Sequence, residues 1–170
     1  RARQRRLRCL IKHYGQRGAF LDVGCGTGLI LRHLPYGAVG IDLNPRHVYK
    51  AQQYVPQARV ILGDAEHLEF PDRSFSTIIC TEVLEHLVHP ELALSEISRV
   101  LKPGGMLIGS TPRHALLWRL RFLSSTHYHN EPFHNEFTRQ ELQALLSGFR
   151  ICVLKTGFLR AVWYFAVEKL

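Results

Sequence analysis

The fold is decided by Asp22-Val23-Gly24-Cys25-Gly26-Thr27-Gly28. The stretch closes a short apolar run over residues 19–23 and opens onto a segment of helical spacing over 29–34. Glycine at every second position lets the backbone turn tightly and come close to a ligand. A dinucleotide fingerprint needs a third glycine three residues after Gly26, but that position is Leu29. What remains is G-x-G-x-G with an acid two residues ahead. That pattern suits a ligand with a ribose and an amino-acid tail and no pyrophosphate. The plainer alternative is a glycine-rich turn joining a strand to a helix.

Outward from this stretch the chain alternates strand and helix. Residues 3–14 have helical spacing, and residues 38–42 form a second strand. Asn44 followed by Pro45 is a helix start, with an Asn cap and Pro at the first helical position, and that helix is expected to reach about Tyr54. Strands are expected over 59–62, 76–81 and 106–110, with a helix over 90–101 between the last two. The run 76–81 is uniformly apolar rather than alternating, as in a sheet covered on both faces. Thr138 with Glu141 forms a capping box for a helix over 138–146, and residues 151–154 and 162–167 read as closing strands. Seven strands with interleaved helices imply an open, mostly parallel α/β sheet. Right-handed crossovers then put the glycine-rich loop at the carboxyl edge of the sheet, where ligands bind.

Two further acids stand at strand ends. Asp42 closes the second strand in Gly40-Ile41-Asp42-Leu43-Asn44, where an acid can accept both hydroxyls of a ribose; the alternative is an exposed turn acid that helps to cap the next helix. Asp64, in Gly63-Asp64-Ala65, can accept from an adenine amino group while the Ala65 N–H donates to the ring. A turn aspartate is the equal alternative there.

The 170 residues are 46% hydrophobic and 21% charged, a globular composition. No apolar run approaches the ~20 residues that span a bilayer. The net charge of +8 is concentrated in Arg1, Arg3, Arg5, Arg6 and Arg8. A solvated basic leading helix explains them; contact with an anionic membrane surface, RNA or an acidic substrate are the alternatives. Cys9, Cys25, Cys80 and Cys152 make no C-x-x-C pair, so no zinc or redox signature is present. Buried free thiols, with Cys80 and Cys152 in apolar strands, and a cytoplasmic location are expected.

DVGCGTG, GIDLN, GDAEHLEFPDRSFSTIICTEVLEHL and RVLKPGGMLIGSTP, in that order, resemble class I S-adenosylmethionine-dependent methyltransferases. They are most similar to the small-molecule group that includes quinone-precursor O-methyltransferases. The resemblance runs from about Leu21 to Phe149. It implies a Rossmann-like, seven-stranded, mostly parallel sheet with helices on both faces and the last strand antiparallel. It implies S-adenosylmethionine as cofactor, with Asp22, Gly24, Cys25, Gly26 and Gly28 at its methionine end. Asp42 and Leu43 would meet the ribose, and Asp64 and Ala65 the adenine. Phe75, Thr81 and Glu82 would fall near the loop after the fourth strand, beside the methyl acceptor, with Thr81 also against the cofactor. Thr81-Glu82-Val83-Leu84 stands where DNA amino-methyltransferases carry Asn-Pro-Pro-Tyr, which points to oxygen or carbon acceptors and away from nucleic acid.

Glu82, Glu85 and His86 have the i, i+3, i+4 spacing that shares one face of a helical turn. They can hold a divalent metal, or His86 can serve as general base. The family resemblance feeds both readings, and a fourth metal ligand would come from His129 or His134. Residues 1–170 are read as one domain, with 1–15 a basic helix and 113–135 a cap or lid inserted after the fifth strand. The cap's Leu, Trp and Phe residues either pack on the core or shield an apolar acceptor. In the segment 128–138, His134 and Phe137 are candidates to face the acceptor, with His134 a second candidate base. The expected function is methyl transfer to a small or lipid-like molecule, with peripheral membrane contact as an option. The alternatives are a metal-dependent RNA 2′-O-methyltransferase and a non-catalytic cofactor-binding protein. The oligomeric state is not legible.

Overall fold

The computed structural model describes residues 2–113, 135–157 and 161–170. Helix α1 (Ala2–Tyr14) leads into β1 (Phe20–Val23), β2 (Val39–Asp42), α2 (Pro45–Tyr54) and β3 (Arg59–Leu62). There follow β4 (Phe75–Thr81), α3 (Pro90–Val100), β5 (Leu101–Pro112), α4 (Arg139–Leu145), β6 (Phe149–Gly157) and β7 (Val162–Lys169). The seven strands form one sheet in the order β3-β2-β1-β4-β5-β7-β6. β1 to β5 pair in parallel, and β7 runs antiparallel between β5 and β6. The Rossmann-like sheet with an antiparallel last strand is therefore borne out.

Local signals explain where the helices begin. The Asn44 side chain accepts from the Arg46 N–H at 2.9 Å, and Pro45 opens α2. Ahead of α4, Thr138 Oγ1 accepts from the Glu141 N–H, and Glu141 returns a carboxylate to the Thr138 N–H at 2.8 Å. Each capping contact satisfies a helix-end donor that would otherwise lack a partner.

Alternation along the strands builds two apolar layers. Leu21 and Val23, Ile78 and Cys80, and Phe165 and Val167 pack on the side covered by Leu94 and Ile97 of α3 and Leu142 of α4. Phe20, Ile79, Ile108 and Tyr164 pack on the other side, under Leu7 of α1 and Val48 and Ala51 of α2. Asp22 has the parity of Phe20, so it faces the α1 side. Strand order reverses between β1 and β4, and at such a switch point the carboxyl ends of the strands leave a crevice.

Three expectations differ from the structure. The helix over 29–34 is only a 3-10 turn, Leu31–His33. Pro35 follows at once, and the residue before a proline is driven out of the α region; Leu34 is extended, with ψ 162. β5 begins at Leu101, which pairs with Phe75, while Met106 pairs with Thr77, so residues 102–105 bulge out of the ladder. Cys152 is exposed, as is Cys9. β6 is the edge strand, and its covered side takes Val153 instead. Cys25 and Cys80 are buried, and all four cysteines are free thiols.

Candidate functional site

Two contiguous cavities open at the switch point. The smaller, about 310 Å³, has Asp22 and the loop Gly24–Thr27 on one side and Thr81, Glu82 and Ser110 on another. Arg3, Gln4 and Leu7 of α1 also line it. The larger, about 640 Å³, is lined by Asp42, Leu43, His47, Asp64, Ala65, Val83 and His86 among others. Gly24, Gly26 and Glu82 line both.

Asp42 organises the loop between them. Its Oδ2 accepts from the Gly26 N–H at 2.8 Å, and its Oδ1 accepts from the Asn44 N–H at 2.9 Å. His47 Nδ1 lies 3.1 Å from the same Oδ1. Each carboxylate oxygen has two lone pairs, so acceptor capacity remains for a ligand. Gly26 has φ +53, and a Cβ built there would meet nothing within 4 Å, because it would project into open space beside the cavities. Leu43 is 71% exposed and gives the larger cavity an apolar wall. Asp64 accepts from the Glu66 N–H at 2.9 Å, which sets the turn presenting Asp64 and Ala65.

Asp22 is the electrostatic anomaly. It is 1% exposed, and neither carboxyl oxygen has a hydrogen-bond partner among the described residues. Burial first, then the Asp42 charge, pushes its carboxyl up to about 8; the Leu31 amide opposes this without reaching hydrogen-bond geometry. A buried carboxyl left without a partner is costly, and it calls for a cationic group in the adjoining cavity. The same burial, with Asp22 and Asp42 nearby, pushes the Cys25 thiol up and keeps it protonated.

Glu82, Glu85 and His86 do not share a helical face. Glu82 ends the strand with φ +55, and only residues Leu84–His86 form a 3-10 turn. Glu82 accepts from Ser110 Oγ at 2.8 Å and pairs with Arg3 at 3.2 Å. Glu85 is buried and accepts from Thr111 Oγ1 at 3.0 Å. His86 is exposed and lines the larger cavity. Among the described residues no three His, Cys, Asp or Glu side chains converge as metal ligands.

Two further candidates are corrected. Phe75 opens β4 at the end away from Thr81, and it packs edge-on against Phe70 in the core. Phe137 also belongs to the core, and its carbonyl accepts from Trp163 Nε1 at 2.8 Å. His129, His134 and residues 114–134 of the expected cap lie outside the described residues.

The methyltransferase domain family matches residues 21–109, just over half of the chain. The chain belongs to this family. It is a class I S-adenosylmethionine-dependent methyltransferase domain, and S-adenosylmethionine is its cofactor. It is 34% identical to the 2-methyl-6-phytyl-1,4-hydroquinone methyltransferase of a Synechocystis species over 52% of this chain and 30% of that protein. It is 33% identical to the ubiquinone biosynthesis O-methyltransferase of Cereibacter sphaeroides over 54% of this chain and 40% of that one. The chain thus spans less than half the length of these two relatives. A crystal structure of an S-adenosylmethionine-dependent methyltransferase from Methanosarcina mazei superposes with TM-score 0.79 over 95% of this chain and 97% of that one, at 23% identity.

The residues of this methyltransferase domain fit the cofactor. The orphaned Asp22 carboxyl suits an ammonium, and Asp42 retains acceptor sites beside the open space at Gly26. Sequence reasoning missed Arg3 and Ser110, which reach the smaller cavity from distant elements. It also missed Arg99, whose guanidinium donates to the Leu68 and Phe70 carbonyls at 2.7 and 2.9 Å and pairs with Glu96 and Asp72 at 2.7 Å. Glu96 in turn accepts from the Leu68 N–H at 2.8 Å. This network fastens the loop after Asp64 and Ala65 to α3. Only the RVLKPGG motif pointed towards Arg99, and nothing in that motif reveals its partners.

Proposed function

We propose that this domain transfers the methyl group of S-adenosylmethionine to an oxygen or carbon of a small or lipid-like acceptor. The observation that carries the reading is the join between the cavities. A ligand spanning both has its middle beside Glu82, Gly24 and Gly26. The cofactor supplies an electrophilic methyl when bound. Asp22 takes the ammonium of its amino-acid tail, Asp42 the ribose, and Leu43, Asp64 and Ala65 the adenine. Thr81 stands at the methionine end. Fixing an acceptor at about 3 Å, in line with the transferred group, supplies much of the acceleration. A hydroxyl acceptor also needs its proton removed; Glu82 and His86 are the groups placed for this, with His134 a third candidate from the sequence.

Small acceptors are supported by the relatives, two of which are named for a hydroquinone and for ubiquinone biosynthesis. Exposed Arg5, Arg8 and Lys12 on α1 support peripheral contact with an anionic membrane surface that carries a lipid-like acceptor. No helix among the described residues is long and apolar enough to cross a membrane. A cytoplasmic location is part of the proposal and rests on four free thiols, two of them exposed. The test is to incubate the protein with methyl-labelled S-adenosylmethionine and a host extract, then to separate solvent-soluble, aqueous small-molecule, RNA and protein fractions. Label in either small-molecule fraction is expected. Label confined to RNA or protein would overturn the acceptor class.

A further inference from the structure

The amino-acid tail of the cofactor carries a carboxylate as well as an ammonium, and the glycine-rich loop is poorly placed to receive it. Three of the loop's amides are already spent: Cys25 N–H on the Ile41 carbonyl, Gly26 N–H on Asp42, and Gly28 N–H on the Cys25 carbonyl. The loop is followed by a single 3-10 turn, so there is no helix of useful length to offer aligned amides and a dipole. The smaller cavity also holds two acidic side chains, Asp22 and Glu82. An anion entering it needs a cation.

Among the described residues lining that cavity, Arg3 is the one cationic side chain. It comes from α1, which is anchored independently: Leu7 is buried in the core, and Arg6 donates to the Thr156 carbonyl at 3.1 Å and stacks over the Tyr164 ring. Arg3 pairs with Glu82 at 3.2 Å, and both side chains keep more than a third of their surface in solvent. Exposed pairs of this kind contribute little and are exchanged readily. A guanidinium can bind a second carboxylate bidentately.

We propose that Arg3 recognises the carboxylate of the cofactor's amino-acid tail, so that Arg3 on α1 and Asp22 on β1 read the zwitterion from opposite sides. The proposal rests on the cofactor assignment above. It makes α1 part of the binding site, and it makes occupancy of the site a determinant of how α1 is held. Binding draws Arg3 from Glu82 and leaves that carboxylate facing the join between the cavities.

The test is calorimetric titration of wild type, Arg3→Met and Arg3→Lys with S-adenosylmethionine and with its decarboxylated analogue, which keeps the ammonium and sulfonium. Wild type is expected to prefer S-adenosylmethionine by at least tenfold. Arg3→Met is expected to lose at least tenfold towards S-adenosylmethionine and less than twofold towards the analogue. Arg3→Lys is expected to keep part of the preference. Equal losses towards both ligands would show that Arg3 only shapes the cavity, and no loss towards either would remove it from the site; both outcomes overturn the proposal. A wild type that binds neither ligand would overturn the cofactor assignment itself.

Discussion

Replacing Asp22 by Asn should move stability and cofactor affinity in opposite directions at neutral pH. The carboxyl is held up to about 8 in the folded chain against an ordinary 3.8, chiefly by burial and secondarily by Asp42. Between those values the unfolded chain has released the proton and the folded chain keeps it. The unfolded state binds fewer protons, so stability falls as pH rises. The slope is about 1.4 kcal/mol per pH unit for one group. From pH 5 to pH 7 this group alone costs the wild type about 2.7 kcal/mol. Asn has nearly the same shape and does not titrate. Relative to wild type, the Asp22→Asn variant should therefore gain about 2.7 kcal/mol between pH 5 and pH 7, whatever the fixed cost of burying the amide. Urea denaturation at pH 5, 6, 7 and 8 reads this directly. The same variant should bind S-adenosylmethionine at least tenfold more weakly at pH 7, because an amide cannot pair with an ammonium as a carboxylate does. Wild-type binding near pH 7 should release a proton as Asp22 ionises, visible as a buffer-dependent binding enthalpy. Parallel pH–stability curves for variant and wild type would refute the reasoning.

Other substitutions separate the remaining roles. Asp42→Ala removes a contact of about 1.5–3 kcal/mol and the acceptor of the Gly26 N–H, so affinity for S-adenosylmethionine should fall at least tenfold by calorimetry; unchanged affinity would remove Asp42 from the site. Arg99→Met should cost about 2–4 kcal/mol in urea denaturation, since several carbonyl and carboxylate partners are left behind. Glu96 is held down to about 2, mainly by its hydrogen bond to Arg99, so its contribution is full above about pH 4.5 and lost as pH falls towards 2. Arg99→Met should flatten that acid limb, and an unchanged limb would mean the pair does not carry it. His86→Ala should lower turnover more than cofactor affinity, and equal losses in both would mark a structural role.

The helix caps were legible because they are local. Asn44 with Pro45, and Thr138 with Glu141, act within four residues, and the structure forms both contacts. The glycine-rich loop and the acids at strand ends were legible because a parallel sheet brings strand ends together. Spacing misled where the backbone was not the assumed one. Glu82, Glu85 and His86 would share a face on an α-helix, but a left-handed residue and a 3-10 turn send them apart. The apolar spacing of 29–34 carried no knowledge of what Pro35 does to the residue before it. Phe75 lies close in sequence to Thr81, yet a seven-residue strand separates them by roughly 20 Å. Arg3 was unreadable as a site residue, since its contact with Glu82 joins positions 79 apart and depends on where α1 docks. Cys152 was misjudged because an apolar run does not reveal that its strand lies at a sheet edge.

The most direct test of the central claim is an equilibrium titration of the protein with S-adenosylmethionine at pH 7, with NAD as the control. One-to-one saturable binding of S-adenosylmethionine, released protons and no response to NAD are predicted. Absence of binding, or equal binding of NAD, would contradict a site built from Asp22, Asp42 and the G-x-G-x-G loop.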